Sequence, residues 1–300
     1  VTEAEFIQAL RRLPLHAGAR GLTDDAAVVA GLVLTTDTLV ESVHFLSTDP
    51  PADVAWKLVA VSLSDLAAKG ARPEGVLLNH PLTDDAWDRA FLSGLAEVLG
   101  AYAVPLIGGD TVSLPAGASR VLSLTALGAD APAPPRSGAR AGDTLYVTGT
   151  VGDAGVGLRI ARGEAGPLGL CNRYRRPTPR LAEGRQLAPL VHAMADVSDG
   201  VLIDAARMAA ASGLAVSLDL AMLPLSRDLQ AFSGDNRAAR LAAATAGDDY
   251  ELLFAATADL PLPVPATAIG RFVQGAGLYL YQAGEPVPLP DHLGFEHAGN

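Results

Sequence analysis

The sequence predicts a two-domain α/β (α+β) architecture, with an N-terminal mixed sheet and helices followed by a C-terminal α/β domain. Three observations predict it. The chain has 300 residues, 49% of them hydrophobic, which is more than one small core needs and enough for two of ordinary size. Strand-like and helix-like segments alternate along its length, the pattern of layered α and β structure. A stretch of alternating proline and alanine, "APAPPRSGARAGD", interrupts that alternation and disfavours both helix and sheet. Dividing there, near residue 133, gives domains 1–133 and 134–300.

In chain order, "AAVVAGLVLTTD" and "SVHFL" are rich in β-branched residues and predict strands. "PPADVAWKLVAVSLSDLAAKGARP" predicts one helix, with Asp53 as its N-cap and Gly70 just past its end. "EGVLLNHPL" predicts a strand. "TDDAWDRAFLSGLAEVLGAYA" predicts an amphipathic helix with Trp87, Phe91, Leu95 and Leu99 on one face. "VPLIGGD" and "SRVLSLTALGAD" close the first unit as strands. Beyond the linker come the strand "TLYVTGTV", a glycine-rich turn, the helix "AGVGLRIARG", the strand "HAMADVSDG", the helix "LIDAARMAAASG" and the strand "AVSLDL".

Composition narrows the function. A formal charge of −11 and an isoelectric point near 4.9 argue against a duplex nucleic-acid surface, which needs basic residues against phosphates. Plain solubility, divalent cations and a cationic substrate all suit that charge. The single Cys171 rules out an internal disulfide, no Cys/His cluster has zinc spacing, and a reducing compartment fits. The longest apolar stretches are too short to cross a bilayer and the first residues lack a signal pattern, so a cytoplasmic protein is expected.

Acids recur where apolar runs end. "GLTDDAAVV" carries Asp24 and Asp25, "GLVLTTDTLV" carries Asp37, "LIGGDT" carries Asp110, and "MADVSDG" carries Asp196 and Asp199. Each has an ordinary reading: a turn for Asp24–Asp25, a Ser198 N-cap for the last segment, and an i, i+4 pair with Lys69 for the helical Asp65. Each also has a chemical one. Hydroxyl and carboxylate oxygens such as those of Thr35, Thr36 and Asp37 suit a hard cation, and a helix N-terminus flanked by acids suits phosphate with its metal. The turn "VTGTVGDAGVGL" lacks the Walker pattern but could approach a phosphate. Acids gathered in one cleft repel unless cations accompany them, which would favour divalent ions on a polyphosphate.

As an ordered set, "TDDAAVV", "TTDTLVESVHF", "VSLSDLAAKGARP", "LIGGDT", "YVTGTVGD", "DVSDG" and "GDDYELLF" resemble the thiamine-monophosphate kinase family over nearly the whole chain. That family lies in the superfamily of aminoimidazole ribonucleotide synthetase, selenophosphate synthetase and a hydrogenase maturation factor. The resemblance implies two α/β domains, dimerisation through N-terminal sheets, and magnesium-dependent, direct in-line transfer of phosphate from ATP to thiamine monophosphate, with no covalent nucleophile. It implies metal-binding positions at Asp25, Thr35, Thr36, Asp37, Asp65, Asp110, Asp196 and Asp199. ATP contacts fall at Gly109, Asp110, Arg136 and Ser198, and acceptor contacts at His44, Asp248 and Phe295. Thr23 and Ser42 stand where the family commonly has glycine. Two alternatives remain open: a sister enzyme acting on another small acceptor, and a non-catalytic nucleotide- or metal-binding protein.

Overall fold

The computed structural model describes residues 2–115 and 117–297. Its first part begins with helix α1 (Glu3–Leu10) and continues through strands β1 (Ala27–Val29) and β2 (Leu32–Val40), helix α2 (Pro51–Ala68), strand β3 (Arg72–Leu82), helix α3 (Asp85–Tyr102) and strands β4 (Leu106–Ser113) and β5 (Val121–Ala129). The five strands form one mixed sheet in the order β1-β2-β5-β3-β4. The second part holds β6 (Thr144–Thr148), α4 (Asp153–Ala161), α5 (Leu168–Arg175), α6 (Leu181–Leu187), β7 (Ala193–Asp196), α7 (Val201–Ala211), β8 (Ala215–Asp219), α8 (Arg227–Ser233), α9 (Arg237–Thr245), β9 (Leu252–Ala256), β10 (Ala266–Val273), β11 (Gly277–Gln282) and β12 (Glu285–Val287). Its seven strands are ordered β12-β11-β8-β10-β6-β9-β7. Only β8 and β11 pair in parallel there.

The predicted strand "AAVVAGLVLTTD" is a hairpin. Ala30 and Gly31 both take positive φ, the turn geometry that matches strand twist, and Val28 faces Val33 across it. "SVHFL" is not a strand. Ser42 adopts φ 70° and the chain turns back, so that a lone bridge joins Glu41 to Phe45. Left-handed backbone costs a residue with a Cβ roughly 1–2 kcal/mol, and glycine would take it freely.

Helix α2 ends as expected, with Gly70 at φ 64°, but Pro50 and not Asp53 precedes its first turn. Asp53 lies inside that turn and pairs with Arg176 at 2.5 Å. Helix α3 starts at an Asp84 cap on the Trp87 N–H and buries Phe91 and Leu95 as its pattern requires. Helix α2 is buried on every side, from Val54 to Ala68, which marks a helix enclosed by protein and not a surface one. One side packs with Phe91, Leu122 and Leu124 in the first core, whereas Ala67 and Ala68 join Leu187 and Phe254 in a core belonging to the second sheet. Gly184 of α6 makes that approach possible: a Cβ there would sit 2.0 Å from the Ala67 carbonyl oxygen.

Candidate functional site

Three chain segments deliver acids to one face of α2. Strand alternation points Thr35 and Asp37 to the α2 side and Thr36 to the outer face, where Thr125 donates to the Thr36 hydroxyl. From α2, Ser62 donates to Asp37 at 2.7 Å and Ser64 to Asp196 at 2.6 Å. The Thr35 hydroxyl donates to Asp65. Carboxylate oxygens of Asp25, Asp65 and Asp196 all lie within 4.8 Å of one another, a spacing that one metal ion could bridge.

Asp65 does not pair with Lys69, despite the i, i+4 spacing. Lys69 instead binds Asp24 and lies 2.7 Å from Asp25 Oδ2. That oxygen is buried, and the Lys69 ammonium meets it by charge without an aligned hydrogen bond. Arg136 binds the other oxygen of Asp25.

The charges within the cage are unequal. Burial pushes Asp25 upward, but Arg136 and Lys69 outweigh it and hold the carboxyl at about 2. Burial raises Asp65 well above the usual range, with the charges of Asp37 and Asp196 adding to it. Asp196 rises to about 8, by burial first and then by the charge of Asp25, and burial raises Asp37 too. A group of this kind resists the loss of its last protons.

Beside the cage lies a pocket of about 900 Å³. Its walls are β2 from Thr36 to Val40, the α4 residues Ala154, Gly155 and Leu158, and the segments holding Ser198, Asp248 and Phe295. Asp37 joins pocket to cage, lining the first and acting by its charge on Asp65. His44 accepts the Val40 N–H through Nδ1 at 3.0 Å, so its ring proton sits on Nε2. Burial first, then the charges of His297 and Lys57, lower its pKa, which keeps the ring neutral and tolerant of a cation. Phe295 and His297 meet it at ring-centroid distances of 6.4 and 5.2 Å. Asp248 takes φ 70° and is held from both sides, by Lys57 at 2.8 Å and by the Tyr250 hydroxyl at 3.0 Å.

Some predicted residues lie elsewhere. Asp110 and Gly109 sit on β4, which is exposed throughout. The register runs Asp110, Asn79, Ser123, Thr38 across the sheet, so three strand spacings, about 14 Å, separate Asp110 from β2. Gly109 also has a local reason to be glycine: at φ 151°, a Cβ would strike the Leu78 carbonyl oxygen at 1.8 Å. Asp199 and Ser198 line the pocket, but Ser198 is not the cap of α7. Gly200 takes that place, and Asp204 accepts the N–H groups of Asp199 and Gly200. The glycine-rich turn before α4 has one of its N–H groups taken, because Asp249 accepts the Gly152 N–H at 2.6 Å. The sequence reading missed Lys57, Tyr250, His297 and Arg162, which also lines the pocket. Lys57 alone carried a signal, as a lysine embedded in the apolar run "VAWKLVA".

Residues 23–129 match the N-terminal domain of the family described as AIR synthase related protein, and residues 140–282 match its C-terminal domain. The thiamine-monophosphate kinase of Escherichia coli (strain K12) is 38% identical, covering 92% of this chain and 91% of that protein. The chain belongs to the thiamine-monophosphate kinase family. The family member from Caulobacter vibrioides is 39% identical over 99% of this chain and 91% of its own length. Among solved structures of the family, AaThiL complexed with AMPPCP and TMP superposes with a TM-score of 0.85 at 30% identity, covering 99% of this chain and 97% of that one. Among the described residues, no helix is long and apolar enough to cross a membrane.

The raised acids give a sign for pH dependence. Asp65, Asp37 and Asp196 keep protons in the folded state that they release near pH 4 when unfolded, so their contribution to stability is complete below about pH 4 and is lost as pH rises through their raised folded-state values, which for Asp196 is about 8. In chelator-treated protein the thermal midpoint should therefore fall between about pH 5 and about pH 8. A midpoint that rises or stays level across that range would contradict the assigned shifts.

Proposed function

We propose that this chain transfers the γ-phosphoryl group of ATP to the phosphate of thiamine monophosphate, forming thiamine diphosphate and ADP. The observation that carries the reading is the meeting of Asp25, Asp65 and Asp196 beside a pocket lined by Asp37, His44, Asp248 and Phe295. The family relationship and the AMPPCP and TMP ligands of AaThiL support it. A bond forms between the γ-phosphorus and an acceptor phosphate oxygen as the bond to the β-phosphate oxygen breaks on the opposite side, so no covalent nucleophile is required.

The cage residues offer hard carboxylate and hydroxyl oxygens, which suit magnesium. Bound there, magnesium would neutralise phosphate oxygens that otherwise repel each other. Asp25, Asp37, Asp65 and Asp196 are its proposed holders, with the Thr35 hydroxyl orienting Asp65 and with Thr36 and Asp199 at the edges. Arg136 has a buried Nε without a partner, a spare donor for a phosphate, and Ser198 lines the nucleotide side. Neutral His44, Asp248 and the face of Phe295 form an aromatic and acidic wall suited to the cationic thiazolium. The boundary near residue 133 divides these duties, with most acids before it and the acceptor wall shared across it.

We also propose a homodimer. Strand β4 ends the first sheet and exposes Leu106, Ile107 and Val112, each at least half exposed. A long apolar edge strand calls for a partner, and a second copy there would bring Gly109 and Asp110 into the shared assembly.

Mass spectrometry of thiamine monophosphate incubated with Mg-ATP and the protein should show thiamine diphosphate and ADP. Asp65→Asn should lower turnover on the order of 100-fold while keeping the fold; unchanged turnover at limiting magnesium would remove Asp65 from the metal site. His44→Ala and Phe295→Ala should each raise KM for thiamine monophosphate about tenfold, a loss of about 1.4 kcal/mol, and leave KM for ATP unchanged. Equal effects on both substrates would contradict the division of the pocket. Sedimentation should find a dimer that Val112→Asp dissociates, and a monomeric wild-type protein would refute the edge assignment.

A further inference from the structure

The cage contains a cation of its own. Lys69 follows the last turn of α2 with no exposed surface. Its ammonium donates to Asp24, to the Met194 carbonyl at 3.0 Å and to the Pro134 carbonyl at 3.3 Å. It also stands 2.7 Å from Asp25 Oδ2, the cage oxygen without an aligned donor. A buried ammonium is tolerated only with such compensation. The arrangement exceeds what anchoring would need, because Arg20 already neutralises Asp24 at 2.6 Å and Arg136 already binds Asp25.

We propose that Lys69 is a positioning residue that acts as a resident counter-ion: it holds Asp24 and Asp25 against the cage in the absence of metal, and weakens the cage's affinity for divalent ions. The proposal rests on the reading of Asp25, Asp65 and Asp196 as metal ligands. Two consequences have opposite signs. Without metal, the ammonium offsets repulsion among the acids. With metal, an ion on Asp25 Oδ2 lies close to a like charge, and at roughly 5 Å in a partly buried site that repulsion is substantial. The cage is thereby kept assembled while its ion stays exchangeable, so that metal can arrive and leave with the nucleotide.

The test is calorimetric titration of magnesium chloride into the metal-free full-length protein near neutral pH, comparing wild type with Lys69→Met, together with thermal midpoints with and without magnesium. Lys69→Met should bind magnesium at least about tenfold more tightly, and should lose more thermal stability without the ion than with it. An unchanged or weaker magnesium affinity overturns the proposal, as do equal losses in both midpoints, the result expected of a merely structural lysine. Should Lys69→Met fail to fold, Asp24→Asn leaves Asp25 as the sole carboxylate partner of Lys69 and should weaken magnesium binding; unchanged or tighter binding overturns the proposal. Absence of magnesium binding in every variant defeats the metal reading itself and the proposal with it. Measurable wild-type binding with no difference between variants defeats only the role of Lys69.

Discussion

Helix α2 has almost no solvent face, so each polar group along it must find a partner inside the protein, and the site is the outcome of that requirement. Ser62, Ser64, Asp65 and Lys69 cannot turn outward, because both cores close around the helix. Their partners are Asp37, Asp196, Thr35 and the Asp24–Asp25 pair. Those partners come from the hairpin, from β7 and from the loop before β1, three segments distant in sequence. Lys57, a few turns earlier on the helix, fixes Asp248 and the His44 carbonyl in the same way. One enclosed helix therefore positions both the acid cage and the wall of the neighbouring pocket.

The charge balance follows from the same enclosure. Buried carboxylates are costly unless compensated, and here compensation is uneven: Asp25 is satisfied by two cations, while Asp65 and Asp196 are met mainly by hydroxyls. Hydroxyls orient a carboxylate without cancelling its charge. Protons meet the shortfall in the structure, and the proposed divalent ion would take their place. Neutral His44 and the Phe295 ring complete an environment that favours a cationic ring over an anionic one.

Much of this was legible in the sequence, because hydrophobic periodicity reports local structure. The helix α2 and the Trp87 to Leu99 face of α3 follow from pattern alone, whereas the enclosure of α2 does not, and β2 and β4 run on past Asp37 and Asp110 where their apolar runs suggest strand ends. The segment "SVHFL" misled because its β-branched and aromatic residues serve a turn that Ser42 closes with a glycine-like backbone. The Asp65–Lys69 spacing misled because burial redirected both side chains to longer-range partners. Asp110 shows another limit. It ends an apolar run as Asp37 does, yet the strand order sets it about 14 Å away, and no local pattern encodes that order. The helix ends of α4 and α7 depended on Asp249 and Asp204, whose capping roles could not be told apart from those of their acidic neighbours.

The central claim is that α2 assembles Asp25, Asp65 and Asp196 into a site for divalent ions carrying ATP phosphates. Anomalous diffraction from crystals grown with manganese and AMPPCP tests it most directly. The account predicts a manganese peak within direct bonding distance, about 2.0–2.3 Å, of carboxylate oxygens from all three aspartates, with the nucleotide phosphates completing its coordination. Manganese bound to phosphates alone, with the three carboxylates still held only by Thr35, Ser64, Lys69 and Arg136, would contradict it.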